Sequence, residues 1–142
     1  MILYFDTSAL VKRYIMEPYS DEVISRWKSA TQIVTSFVAY AEMMASLYRK
    51  KREGNIADTL IREIADSFHQ DWQSFIRIEV NDQLNGHIKR LVEKYPLRGF
   101  DAIHLAAASL IYENFSENFE FICFDNKLAE AARSEGIKTF SE

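Results

Sequence analysis

Ile2-Leu3-Tyr4-Phe5-Asp6-Thr7 opens the chain with four apolar residues, an acid and a hydroxyl, and Phe121-Ile122-Cys123-Phe124-Asp125-Asn126 repeats that plan near the other end. Each apolar run is too short for a helix and carries no charge, the pattern of a strand buried on both faces of a parallel sheet. A helical pattern follows each Asp. Leu10, Val11, Tyr14 and Ile15 recur on one face from Ser8 until Pro18, and Lys127 to Glu135 runs to Gly136. The segments between extend the alternation. Ser20 is placed to cap a second helix whose first turn holds Asp21 and Glu22, favourable against the helix dipole. Gln32 to Thr35 reads as a strand, and Val38 to Glu53 as a helix stopped at Gly54. Asn55 is placed to cap a long amphipathic helix to Trp72; Phe75 to Val80 reads as a strand, and Asn81 caps a helix ending before Pro96. Gly99 to Asn114 has almost no polar face and predicts a buried helix, and Lys138 to Phe140 a last short strand. Strands separated by helices too long for hairpins require crossover connections, which gives an α/β fold with a parallel sheet and helices on both faces.

The 142 residues, 48% of them hydrophobic with only four Gly, suit one domain over 1–142 with a sizeable core, and exclude collagen-like and low-complexity classes. One Cys forms no internal disulfide, and Cys123 between Ile122 and Phe124 reads as a core thiol. No stretch approaches the ~18 apolar residues of a membrane span, and the N-terminus lacks the basic start of a secretion signal, so a cytoplasmic location and no membrane association are expected. The net charge of −4 weighs against a nucleic-acid partner at first sight. Four of the 17 basic residues are Arg49, Lys50, Lys51 and Arg52, however, leaving 13 against 21 acids elsewhere. The acidity is concentrated.

In open α/β sheets ligands bind beyond the carboxyl ends of the strands, where strand order reverses. Asp6 and Asp125 project there, and converge if their strands are neighbours; each is equally placed simply to cap the helix after it. Glu42 is the only charge between Phe37 and Leu47, and Asp101 the only formal charge from Gly99 to Tyr112. A buried carboxylate without a partner costs several kcal/mol, so something compensates these two: private partners such as Arg98 for Asp101, or one cation shared by Asp6, Glu42, Asp101 and Asp125. With no H-E-x-x-H, no C-x-x-C and only three His, the donor set is oxygen and the cation Mg²⁺ or Mn²⁺ rather than zinc. Such an ion activates water and stabilises charge on a phosphodiester, so phosphodiester hydrolysis is the expected chemistry. His104, one turn after Asp101, reads as packed beside the site rather than as a ligand. The basic run either complements the dipole at its helix end or, with Arg49 about 10 Å along the face from Glu42, forms a rim for a nucleic-acid backbone together with Lys50, Lys12 and Arg13.

These residues resemble the PIN-domain ribonucleases, in particular the VapC-type toxins of toxin–antitoxin pairs, across essentially the whole chain. Tyr4-Phe5-Asp6-Thr7-Ser8-Ala9-Leu10 is similar to the first motif, with Asp6 a metal ligand and Thr7 or Ser8 a supporting hydroxyl. Thr35-Ser36 with Ala41-Glu42 resembles the second, Leu97-Arg98-Gly99-Phe100-Asp101-Ala102-Ile103-His104 the third, and Phe124-Asp125-Asn126-Lys127 the fourth; some relatives carry a further acid in that last region. The resemblance implies a three-layer fold on a five-stranded parallel sheet and Mg²⁺ or Mn²⁺ at the four acids. It also implies endonucleolytic cleavage of RNA, a small antitoxin partner and a homodimer. Asp6 and Asp101 are then the principal ligands, with Glu42 and Asp125 orienting water or recruiting a second ion. Three other readings stand beside it: a PIN-type RNA-processing nuclease that is not a toxin, a catalytically silent metal-containing binding module, and a receiver-like phosphotransfer domain. The last expects adjacent acids on the first loop and a Lys ending a late strand, neither of which is found.

Overall fold

The structure, a computed structural model, describes residues 1–140; the last two positions of the domain expected over 1–142 lie outside the described residues. Five parallel strands, β1 (Ile2–Phe5), β2 (Gln32–Ser36), β3 (Ile76–Ile78), β4 (Phe119–Ile122) and β5 (Thr139–Phe140), lie in the order β3-β2-β1-β4-β5. Seven helices connect them: α1 (Thr7–Tyr14), α2 (Ser20–Ser29), α3 (Val38–Arg52), α4 (Asp58–Trp72), α5 (Asp82–Lys94), α6 (Gly99–Phe115) and α7 (Asn126–Ser134). The chain adds strands to one side of β1, then crosses to add β4 on the other, with Tyr4 opposite Phe121 and Phe5 opposite Ile122. The order therefore reverses between β1 and β4, the place where such sheets open a crevice.

Alternation along β1 divides the core into two layers. Leu3 and Phe5 face α1 to α4, packing with Leu10, Met43, Ile61 and Phe68; Tyr4 faces α5 to α7, packing with Leu84, Leu105, Phe121 and Leu128. This is the three-layer α/β sandwich expected from the sequence. No helix among the described residues is long and apolar enough to cross a membrane.

Three local expectations are corrected. The last core strand was expected at Phe121 to Phe124 but spans Phe119–Ile122, with Glu120 buried inside it at 2% exposure. Glu120 lies outside the apolar run that marks the strand in sequence, yet Arg26 of α2 pairs with it and Lys138 stands 4.0 Å away, so tertiary structure supplies the counter-charges. Ser20 does not cap α2. Tyr19, at φ 71°, holds the cap position, and the Ser20 hydroxyl accepts from Glu17 N and donates to Ile15 O, closing the α1–α2 turn. Asn55 lies too early to cap α4, whose cap is Ala57; Asp58 in its first turn instead joins Lys51 and Arg62. The Asn81 cap is as expected, its side chain accepting from Leu84 N.

Candidate active site

All four acids belong to segments leaving the carboxyl end of the sheet. Asp6 ends β1, Asp125 follows β4, Glu42 lies in the second turn of α3 after β2, and Asp101 in the first turn of α6. Both Asp6 and Asp125 do cap their helices, accepting from Ala9 N at 3.0 Å and Leu128 N at 3.0 Å. Capping and a role in the site are thus not alternatives, because the cap geometry is what holds each carboxyl at the crevice.

Asp6 is 4% exposed, and its two oxygens accept from the Ser8 hydroxyl at 2.7 and 2.9 Å, with the Cys123 thiol 3.2 Å from Oδ2. Burial raises its pKa, and the opposing effects of His104, Ser8, Ala9 and Cys123 do not cancel the rise. Ser8 also accepts from Phe124 N at 2.9 Å, so one hydroxyl ties the ends of β1 and β4 together. Burial pushes the Cys123 thiol upward too, which keeps it a neutral donor to Asp6.

Glu42 is held differently. Its Oε1 accepts from Thr7 Oγ1 at 2.8 Å and from His104 Nε2 at 2.7 Å; His104 Nδ1 in turn meets the Tyr4 hydroxyl at 2.8 Å. A carboxylate acceptor at Nε2 requires a proton there, and the hydrogen bond between Nδ1 and the Tyr4 hydroxyl fixes the ring from its other side. Burial alone would raise Glu42, but the bonds to His104 and Thr7 outweigh it and leave the pKa lowered. Thr7 and Ser8, both singled out in sequence, therefore serve different acids. Tyr4, in β1, carried no signal beyond its place in an apolar strand; only the tertiary contact with α6 makes it part of the site.

Asp101 lies between two cavities. One, of about 630 Å³, is lined also by Glu42, Arg98 and Phe100; the other, of about 290 Å³, by Arg98, Asp125 and Lys127. Burial raises the pKa of Asp101, followed by repulsion from Asp125, Asp6 and Glu42, with His104 opposing. The three other acids thus lie close enough to Asp101 for their charges to disfavour its ionisation. Among the described residues neither Asp101 nor Glu42 pairs with a Lys or Arg, so of the two alternatives the private pairing of Asp101 with Arg98 is not formed.

The donor set of four carboxylates, one of them buried with no Lys or Arg partner, fits a hard divalent cation. Among the described residues no three His, Cys, Asp or Glu converge closely enough to enclose a metal, so the fit is to an ion held by one or two carboxylates with water completing its shell. Asp101 shares one cavity with Glu42 and the other with Asp125, Asp6 lies buried behind them, and among the described residues the four do not close into a cage.

The basic residues are more dispersed than the sequence implied. Lys12 and Lys50 both approach Glu17, at 3.2 and 4.0 Å, and Lys12 lies 4.8 Å over the Phe124 ring beside Asp125. Arg13 lies over the Tyr14 and Trp27 rings. Arg49 is exposed and has no side-chain partner among the described residues. The bases that line the acidic crevice itself are Arg98 and Lys127, which lay inside recognised motifs but were not assigned to binding.

The PIN domain family matches over residues 3–134. Ribonuclease VapC45 of Mycobacterium tuberculosis (strain CDC 1551 / Oshkosh) is 32% identical over 141 residues, covering 96% of this chain and 93% of that protein. The Mycobacterium tuberculosis VapC20 structure, described as a sarcin–ricin loop cleaving toxin, superposes with a TM-score of 0.64 at 14% identity, covering 91% of this chain and 94% of that one. VapBC2 from Rickettsia felis, bound to a promoter DNA fragment, superposes with a TM-score of 0.65 at 13% identity over 100% and 99% of the two chains. These two structures share the fold.

Proposed function

Since the chain belongs to the PIN-domain family, among the VapC ribonucleases, we propose that it is a Mg²⁺- or Mn²⁺-dependent endoribonuclease of the cytoplasm and the toxin of a toxin–antitoxin pair. The observation that carries this reading is the set of four acids at the β1–β4 switch point, where Asp101 is repelled by Asp125, Asp6 and Glu42 and meets no Lys or Arg ion pair among the described residues. Negative charge gathered in this way is useful once a divalent cation joins it.

Asp6 and Asp101 are the acids that would hold the ion, with Asp125 beside Asp101 on the smaller cavity. When bound, the ion polarises the phosphate and lowers the pKa of a water. Glu42 supplies orientation: Thr7 and His104 occupy Oε1, which leaves Oε2 to fix a water by accepting from it. Its lowered pKa keeps it ionised and makes it a weak proton acceptor, so it aligns the water rather than deprotonating it. Ser8 and the α1 cap hold Asp6 still, and Arg98 and Lys127 stand where they neutralise the RNA backbone beside the acids. The antitoxin partner is inferred from the family and from VapBC complexes of the same fold, and a homodimer from the family alone.

The test is incubation of the purified protein with a total RNA pool in Mg²⁺ or Mn²⁺, then in excess EDTA, with the new ends mapped. Discrete metal-dependent ends are expected. An intact pool in every condition would sink the nuclease reading and favour a silent binding module.

A further inference from the structure

Asp101 stands at the junction of two cavities of opposite character, which share Arg98. The smaller holds Asp125, Asn126 and Lys127 and is polar and charged. The larger, about 630 Å³, is walled by Val80, Ile88, Phe100 and Ile103, with Asn85 as a neutral polar group. Its volume suits a small-molecule-sized group. Phe100, the second residue of α6, is 57% exposed, and among the described residues its ring meets no other ring and no cation. From Ala102 to Ser109 the helix is buried except at Ile103, which shares this wall with Phe100. An aromatic face left open next to acids that handle a phosphodiester is a stacking platform for a base.

We propose that the larger cavity is a subsite for one unpaired nucleobase of the RNA. With the scissile phosphate against Asp101, the base on one side of the cut stacks on Phe100 and presents its edge to Asn85. The backbone on the other side runs past Arg98 and Lys127. A nucleotide tethered to a phosphate at Asp101 reaches this wall through its own covalent length, and its neutral aromatic base suits the apolar lining. The two-cavity asymmetry makes a definite demand: base preference is expressed on one side of the cut. This rests on the ribonuclease reading above.

The experiment compares wild type, Phe100→Ala, Phe100→Tyr and Phe115→Ala on single-stranded RNA carrying 2-aminopurine beside the cleavage site. Phe115 lies on the same helix with 51% exposure, and serves as the matched control. Stacking on one aromatic contributes enough that Phe100→Ala should raise KM about tenfold with kcat little changed. It should also remove the 2-aminopurine quenching expected of wild type in Ca²⁺ without turnover, and flatten the base preference. Phe100→Tyr should restore all three, and Phe115→Ala should change none. Unchanged KM, quenching and cut-site distribution in Phe100→Ala would overturn the subsite and leave that wall to a docked protein. Loss in Phe115→Ala equal to that in Phe100→Ala would overturn it as well. A wild type that cuts no RNA in Mn²⁺ and shows no quenching defeats the ribonuclease reading itself, and the subsite with it.

Discussion

Replacing Asp6 by Asn removes one negative charge and no heavy atom, so the role of Asp6 in the fold and its role in the site come apart. Asn is as good a helix cap as Asp, and its Oδ1 continues to accept from Ala9 N and from Ser8. The new amide group takes the position of Oδ2, 2.9 Å from Ser8 Oγ and 3.2 Å from Cys123 Sγ, both of which have lone pairs to accept from it. The stability change should stay within about 1 kcal/mol, or about 2–4 °C in Tm for a chain of this size. Its sign follows from the raised pKa of Asp6. An acid whose folded pKa lies above its unfolded one weakens the fold as pH rises from the ordinary carboxylate range through the folded value. In EDTA at neutral pH the Asn variant should therefore melt at or above wild type, and the advantage should vanish in acid. Asp6→Ala loses the cap as well and should fall about 1–2 kcal/mol below the Asn variant. Metal-dependent cleavage, in contrast, should drop at least ~100-fold in both, because a ligand to the ion carries several kcal/mol of transition-state stabilisation. Thermal melts across pH in EDTA, read beside initial rates on a fluorogenic RNA, decide it. Cleavage by Asp6→Asn within tenfold of wild type removes Asp6 from the mechanism; a melt as low as that of Asp6→Ala would show that the loss is structural.

Tyr4→Phe strips the hydroxyl from His104 Nδ1 at a fully buried position, which should cost about 1–3 kcal/mol. It also frees the ring that aligns Glu42, lowering kcat about 10- to 100-fold with KM nearly constant; full kcat in this variant would show that Glu42 does not depend on the histidine. Glu135 draws Arg90 and Lys94 of α5, and Tyr95 just past it, to the end of α7 and has its pKa lowered to about 2, burial opposing the shift while the bonds from Tyr95, Arg90 and Lys94 prevail. A lowered folded pKa stabilises above the ordinary value of 4.5 and is lost as pH falls toward about 2. With two of its partners about half exposed the contribution is about 1–2 kcal/mol. Glu135→Gln should melt lower than wild type at pH 7 and converge with it in acid; a constant gap across that range would contradict the linkage.

Short apolar runs alternating with capped helical patterns made the strand–helix alternation legible in one dimension, and with it Asp6 directly after β1; the bounds of β4 were not legible, because the buried Glu120 interrupts its apolar run and Asp125 stands three residues past its end. The sequence also exposed Glu42 and Asp101, because a lone acid on an apolar helix stands out in one dimension. Tertiary structure decided what those acids meet. Only the pairing of β1 with β4 brings Asp6 and Asp125 to one crevice, since neighbours in a parallel sheet are set by crossovers that periodicity does not encode. The Tyr4–His104–Glu42 chain joins residues 62 and 100 positions apart. The charges of Glu120 and its partner Arg26 lie 94 positions apart. Burial of a polar group is legible in sequence as a local anomaly, but its partner comes from another element, and that choice is made by packing.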